Sequence, residues 1–221
     1  RNTLTTLHLA EVAAKFSCRL LLASSMAVYS DTSAQPLRET NTLAPKTCYG
    51  VAKLASEKYL AVLLKPGQTS SVRMFNVYGP GQEMGSTKQG MVRIFINQAL
   101  RNREIVVRGS RDRVRDFVYI DDTVDVWIRL AKTEDEIPSA VNLGTGQGTK
   151  VETLVTLISN QFDGVSVSYQ SGTRGDQDSV VADNKLLQET TGKMNFKRLD
   201  EGIVSTIDWA RHHYGVAASP S

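Results

Sequence analysis

A short apolar run, Arg19-Leu20-Leu21-Leu22-Ala23, ends on the pair Ser24-Ser25, and a tyrosine and a lysine then open a helical stretch at Tyr49-Gly50-Val51-Ala52-Lys53. This pairing constrains the fold more than anything else in the chain. A run that is apolar without alternation, and only strand-length, is the pattern of a strand covered on both faces, as in a parallel sheet. Its carboxyl end then carries the serines. Tyr49 and Lys53 lie about one helical turn apart, so they project from one face. A phenol beside a fixed ammonium, with a serine hydroxyl nearby, is a proton-transfer device.

The flanking elements agree with an α/β sheet. An apolar helix to about Lys15 precedes the strand, and a polar segment, 30–48, separates it from helix 49–64, which Pro66-Gly67 stops. Ser71 to Tyr78 reads as the next strand, ended by Gly79-Pro80-Gly81. Further on come a helix through Val92, Phe95, Ile96 and Leu100, strands 104–108 and 114–120, a helix after Asp121-Asp122, and strand 140–143. Asp121 or Asp122 is expected to cap its helix, and Thr149 with Glu152 has the spacing of a capping box. Strands alternating with helices imply a parallel sheet.

Charge excludes little and favours nothing exotic. Twenty-six basic and 23 acidic residues give a net charge of +3, too near balance to argue for nucleic acid or a membrane surface. No apolar run approaches the ~20 residues of a membrane span. Glu11 and Lys15 break the first segment, so it is no signal-peptide core. Cys18 and Cys48 fit no metal or redox spacing and read as reduced thiols, which makes a cytoplasmic location the expectation. His8, His212 and His213 lie on helices without partners, and no metal site is expected. Arg108, Arg111 and Arg113 read as a solvated hairpin, with a basic groove shared with Arg115 as the alternative. No aromatic platform accompanies them, so nucleic-acid binding is not indicated. Gly144-Thr145-Gly146 lacks the spacing of a phosphate loop.

Six motifs occur in order: Ser24-Ser25-x-x-Val28-Tyr29, Tyr49-x-x-x-Lys53, Arg73-Met74-Phe75-Asn76-Val77-Tyr78-Gly79-Pro80, Arg115-Asp116-Phe117-Val118-Tyr119, Asn142-Leu143-Gly144-Thr145-Gly146 and Arg174-x-Gly-Asp176. Together they resemble the extended short-chain dehydrogenase/reductases, specifically the NAD-dependent nucleotide-sugar epimerases and dehydratases, from Asn2 to Tyr214. The resemblance implies an α/β fold: the C-terminal part of a Rossmann-like, doubly wound parallel sheet plus a small α+β substrate-binding domain. Residues 1–78 and 116–148 would belong to the dinucleotide domain, 79–115 and 149–214 to the substrate domain, and 215–221 to a tail.

By the same resemblance Tyr49 is the catalytic base, Lys53 lowers its proton affinity and holds the nicotinamide ribose, and Ser25 hydrogen-bonds the reacting hydroxyl. Ser24 would join Tyr49 and Lys53 on the cofactor side. Asn76, Arg115, Arg174 and Asp176 would bind the substrate, a nucleotide-diphosphate sugar, with the arginine forks on its phosphates. Met26-Ala27 stands where the sugar dehydratases carry an acidic pair. Neither residue can donate or accept the protons of water elimination, which favours epimerisation or simple oxidation–reduction. Helices 3–15 and 49–64 resemble the pair that forms the family's dimeric four-helix bundle.

The family opens with a strand and a glycine-rich turn that takes the cofactor's pyrophosphate at a helix amino terminus. These 221 residues contain no such turn. At ~30 residues per βαβ unit, roughly 90 residues would precede Asn2 in a complete enzyme. The expectation is therefore an NAD-dependent epimerase represented by an N-terminally truncated chain. The alternatives are a non-catalytic, dimerising remnant, a split enzyme completed by another chain, or a dehydratase or reductase of the same family.

Overall fold

A computed structural model describes residues 2–30, 34–83, 90–172 and 178–214. The chain opens with helix α1 (Asn2–Phe16), strand β1 (Leu20–Ser25), a 3-10 turn at Met26–Val28, α2 (Cys48–Leu63) and β2 (Thr69–Met74). It continues with β3 (Asn76–Tyr78), α3 (Met91–Asn102), β4 (Glu104–Arg108), β5 (Val114–Tyr119), α4 (Ile120–Lys132) and β6 (Ala140–Leu143). Then follow β7 (Gly148–Lys150), α5 (Val151–Ser159), β8 (Ser166–Gln170), β9 (Ser179–Val180), α6 (Lys185–Thr191) and α7 (Leu199–Tyr214).

Strands β1, β2 and β6 form a parallel sheet in that order. Its two faces are both covered, and the alternation along β1 shows how. Leu20 and Leu22 pack with Ala10, Ala13, Leu60 and Leu64 of and beside α1 and α2. Leu21 points the other way, into the cluster of Val126, Leu130 and Leu187 from α4 and α6. A second sheet is built on β5, which pairs in parallel with β3 and β9 and antiparallel with β7. β4 and β8 form a separate parallel pair. Beside these two sheets lies the largest core, where Phe95 and Ile96 of α3 meet Ile105, Leu154, Ile158 and Ile207.

Four local expectations are corrected. The stretch 71–78 is two strands, because the Phe75 amide donates to the Leu143 carbonyl at 3.0 Å and the Phe75 carbonyl accepts from Val77 N at 2.8 Å. That turn ends the pairing with β6 and hands the chain to β5. β4 and β5 are no hairpin, since each pairs with other strands. Arg108 and Arg111 are exposed, but Arg113 is buried and donates to the carbonyls of Ser110 and Arg108. Thr149 and Glu152 make no capping box, because the first amides of α5 find distant carbonyls: Val151 N on Arg113 and Glu152 N on Arg111. Asp121 and Asp122 sit inside the first turn of α4 rather than capping it, where they oppose the helix dipole favourably. Asp122 also accepts from Lys197 N at 2.9 Å.

Candidate active site

The carboxyl ends of β1 and β3, the start of α2 and the amino end of α3 enclose a cleft of about 940 Å³. In an open α/β sheet this is where ligands bind. Ser25 is the last residue of β1, and its extended backbone (φ −152°, ψ 151°) lets its Oγ accept from Ala27 N at 3.2 Å, capping the 3-10 turn. Thr47 caps α2 in the same manner, its Oγ1 accepting from Gly50 N at 3.0 Å. The cap sets Tyr49 in the first turn of α2, 45% exposed and facing the cleft that Ser25 also lines.

Gly50 lets the two pieces meet. A Cβ there would lie 2.2 Å from the Ala27 carbonyl oxygen and 2.8 Å from Pro45 Cβ. The α2 backbone therefore rests directly on the turn that follows Ser25. One turn along, Lys53 donates from Nζ to the Ala23 carbonyl at 2.6 Å, and the same nitrogen lies 5.6 Å from the Tyr49 ring centroid. Burial lowers the pKa of this ammonium. The expected triad of Ser25, Tyr49 and Lys53 is thus brought together at one strand end.

Ser24 also borders the cleft, but it is fully buried and its hydroxyl donates to the Glu57 carboxylate. Alternation along the strand explains the difference: Ser24 points inward and Ser25 outward. Asn76 lines the cleft while its Nδ2 donates to the Asp116 carbonyl at 3.0 Å, which fixes the amide and turns one face to the cavity.

Arg115 lies outside the cleft lining. It is buried, with Nη1 donating to the Val114 carbonyl at 2.9 Å. Burial, reinforced by the neighbouring Arg113 and opposed by Asp178, pulls its pKa down to about 10. It remains a cation at neutral pH, near Asp178, which follows residues 173–177 in the sequence. Arg174 and Asp176 fall in that segment, outside the described residues.

Two cleft residues escaped sequence reasoning. Gln82 and Arg93 both line the cavity, and the buried Arg93 guanidinium donates to the Glu83 carbonyl. The available signal was electrostatic: an arginine in the first turn of α3 works against the helix dipole, which is reason to look for what it faces. Gly144-Thr145-Gly146 also has a distinct job. Its amides hold an anion, and that anion is Asp116: the carboxylate accepts from Thr145 N (2.9 Å), Thr145 Oγ1 (2.6 Å), Gly146 N (3.0 Å) and Ala182 N (3.1 Å). Burial still raises the pKa of this carboxyl, although each of the hydrogen bonds lowers it.

Among the described residues, no group of three or more His, Cys, Asp or Glu is placed to hold a metal. None of the described helices is long and apolar enough to cross a membrane.

A parallel α/β sheet with a serine, a tyrosine and a lysine gathered at its strand ends defines the class: a Rossmann-like α/β protein. The chain belongs to the NAD dependent epimerase/dehydratase family, whose model matches residues 1–144. A putative UDP-glucose 4-epimerase of Methanocaldococcus jannaschii is 28% identical over 218 residues, covering 96% of this chain and 70% of that protein. UDP-glucuronic acid decarboxylase 1 of Xenopus tropicalis is 29% identical over 95% of this chain and 51% of its own length. The Escherichia coli dTDP-4-dehydro-6-deoxyglucose reductase is 28% identical over 86% of this chain and 60% of its own. The chain therefore spans between about half and about two thirds of these relatives. Among solved structures, the UDP-glucose 4-epimerase of Thermotoga maritima with UDP-glucose superposes with a TM-score of 0.87 at 29% identity, over 96% of this chain and 70% of that one. MoeE5 in complex with UDP-glucose and NAD gives 0.85 at 28% identity, over 96% and 72%. These relatives carry out different reactions, so the family is that of nucleotide-sugar enzymes rather than of one chemistry.

Proposed function

We propose that this chain carries the proton-transfer and substrate half of a nucleotide-sugar epimerase. The observation that supports this reading is that Ser25 and Tyr49 line one cleft with the Lys53 ammonium one helical turn behind the phenol. Tyr49 takes the proton of a sugar hydroxyl at its phenol oxygen, and the Ser25 hydroxyl holds that hydroxyl in line. The Lys53 ammonium, 5.6 Å from the Tyr49 ring centroid, places a positive charge beside the residue that takes the proton. NAD, which MoeE5 binds, would supply the hydride acceptor and donor. The donor set fits its nicotinamide ribose, for which Lys53 and Tyr49 offer an ammonium and a phenol at the strand ends. Met26 and Ala27 line the cleft beside Ser25 and offer no acid or base, which favours epimerisation over water elimination. Asn76 would contact the sugar, and Arg115 with Arg174 and Asp176 the nucleotide diphosphate.

Residues 1–78 and 116–148 would act as the dinucleotide domain and 79–115 with 149–214 as the substrate domain. A second copy would dock on α1 and α2, which leave Phe16 69% and Val62 81% exposed, with Leu4, Leu9, Val12 and Val51 exposed as well. Tyr49→Phe tests the catalytic reading. It should abolish interconversion of a UDP-hexose pair while leaving UDP-sugar binding, measured by calorimetry, within twofold of wild type. Full turnover in Tyr49→Phe would refute the reading, and loss of binding would make Tyr49 structural.

A further inference from the structure

Tyr49, Lys53 and Glu57 follow one another at four-residue intervals on α2, so they form a stripe along one face. Tyr49 and Lys53 have assigned work in the proposed reaction, whereas Glu57 lies 8% exposed beneath them and touches no ligand surface. Its carboxylate accepts from Ser24 Oγ, and it holds the Arg73 guanidinium in a two-pronged pair, Nε–Oε1 at 3.1 Å and Nη2–Oε2 at 2.8 Å. Arg73 goes on to donate to Tyr29 Oη and to the Glu39 carbonyl, both at 3.0 Å. Tyr29 in turn donates to Asn142 Oδ1 at 2.6 Å. One connected polar row thus runs from α2 through β1 and β2 to β6, under the floor of the cleft.

We infer that Glu57 is a positioning residue: by gripping Ser24 it fixes the Ser25 hydroxyl against Tyr49. The inference rests on the proton-transfer reading of the site. Two bonds tie α2 to the end of β1, Lys53 Nζ to the Ala23 carbonyl and Ser24 Oγ to Glu57. They attach at consecutive residues just before Ser25, the first through backbone and the second through a side chain. Removing the second leaves the strand end held by backbone alone and frees the peptide that carries Ser25. A misplacement on the order of 1 Å at such a pair can slow turnover about 100-fold. A buried charge pair could instead have been replaced by apolar residues without loss of stability. Its bidentate form, with the Ser24 hydroxyl on the same carboxylate, is the geometry of a gauge between two elements.

Ser24→Ala is the cleaner test, because it deletes one hydroxyl and leaves the Glu57–Arg73 pair whole. In the full chain with NAD and UDP-hexose, kcat should fall at least tenfold while KM stays within twofold. Hydrogen exchange at the amides of 25–28 should accelerate, with exchange across α7 unchanged. Glu57→Gln keeps an acceptor for Ser24 and, where it folds, should retain more turnover than Ser24→Ala. Wild-type kcat and unaltered exchange in a folded Ser24→Ala variant would overturn the inference. So would a rise in KM with kcat intact. If Tyr49→Phe is fully active, the underlying reading fails. If Tyr49→Phe is dead and Ser24→Ala is normal, only the role of Glu57 fails.

Discussion

Gly50→Ala is the smallest change that should separate the two halves of the site. The new methyl would stand 2.2 Å from the Ala27 carbonyl oxygen and 2.8 Å from Pro45 Cβ. Ordinary contact needs ~3.5 Å, so α2 and the turn after Ser25 must part by roughly 1 Å. Neither neighbour can rotate aside, since one is backbone and the other a proline ring. Overpacking against two rigid neighbours costs about 2–3 kcal/mol, the upper part of the usual range, against which alanine's better helix propensity returns about 1 kcal/mol. The net loss of about 1–2 kcal/mol corresponds to a Tm lowered by roughly 2–8 °C for a chain of this size. Turnover should fall much further, about 100-fold for a displacement near 1 Å. Thermal melts and progress curves on the same preparation check both figures. An alanine variant as stable as wild type, as propensity alone would have it, refutes the packing argument. A destabilised variant with normal turnover refutes the link between this contact and the chemistry.

Two further outcomes follow from the same geometry. Burial lowers the Lys53 pKa in the folded chain, so the charged form costs stability that is recovered as the ammonium loses its proton. The unfolding free energy of wild type relative to Lys53→Met should therefore rise from the depressed folded pKa up to the unfolded value near 10.4. Urea melts of both proteins at pH 7 and pH 10 measure it, and a flat or falling difference counts against the assignment. Val62→Glu should turn a dimer into a monomer in light scattering with the melting temperature of the monomer little changed, because Val62 is 81% exposed in the single chain. A dimer that survives the substitution places the contact elsewhere.

What could be read from the sequence was whatever sits within a turn or a strand of itself. Tyr49 and Lys53 could be put on one helix face from their spacing alone, whereas Ser25 was singled out from Ser24 only by resemblance to the family. The partners of Ser24, Arg73 and Tyr29 lie 33, 16 and 113 residues away along the chain. No local pattern distinguishes an inward serine from one facing a ligand at such range. The break at Phe75 was hidden for a related reason: the strand-like pattern continues through it, and only the Leu143 carbonyl reveals the change of sheet. The capping box failed because the Arg111 and Arg113 carbonyls had already taken the amides that Thr149 would have served. Local rules identify what a residue can do, and distant backbone decides which option is used.

The glycine turn that closes over Asp116 has a consequence for how anions meet this protein. An acceptor attached to the chain is present at a fixed effective concentration, millimolar or more for a short tether. A free phosphate must outcompete it at every amide of the turn. Ligand concentration therefore has little leverage there, because Thr145 N, Gly146 N and Ala182 N are already taken by the Asp116 carboxylate. The turn behaves as a socket with a captive plug.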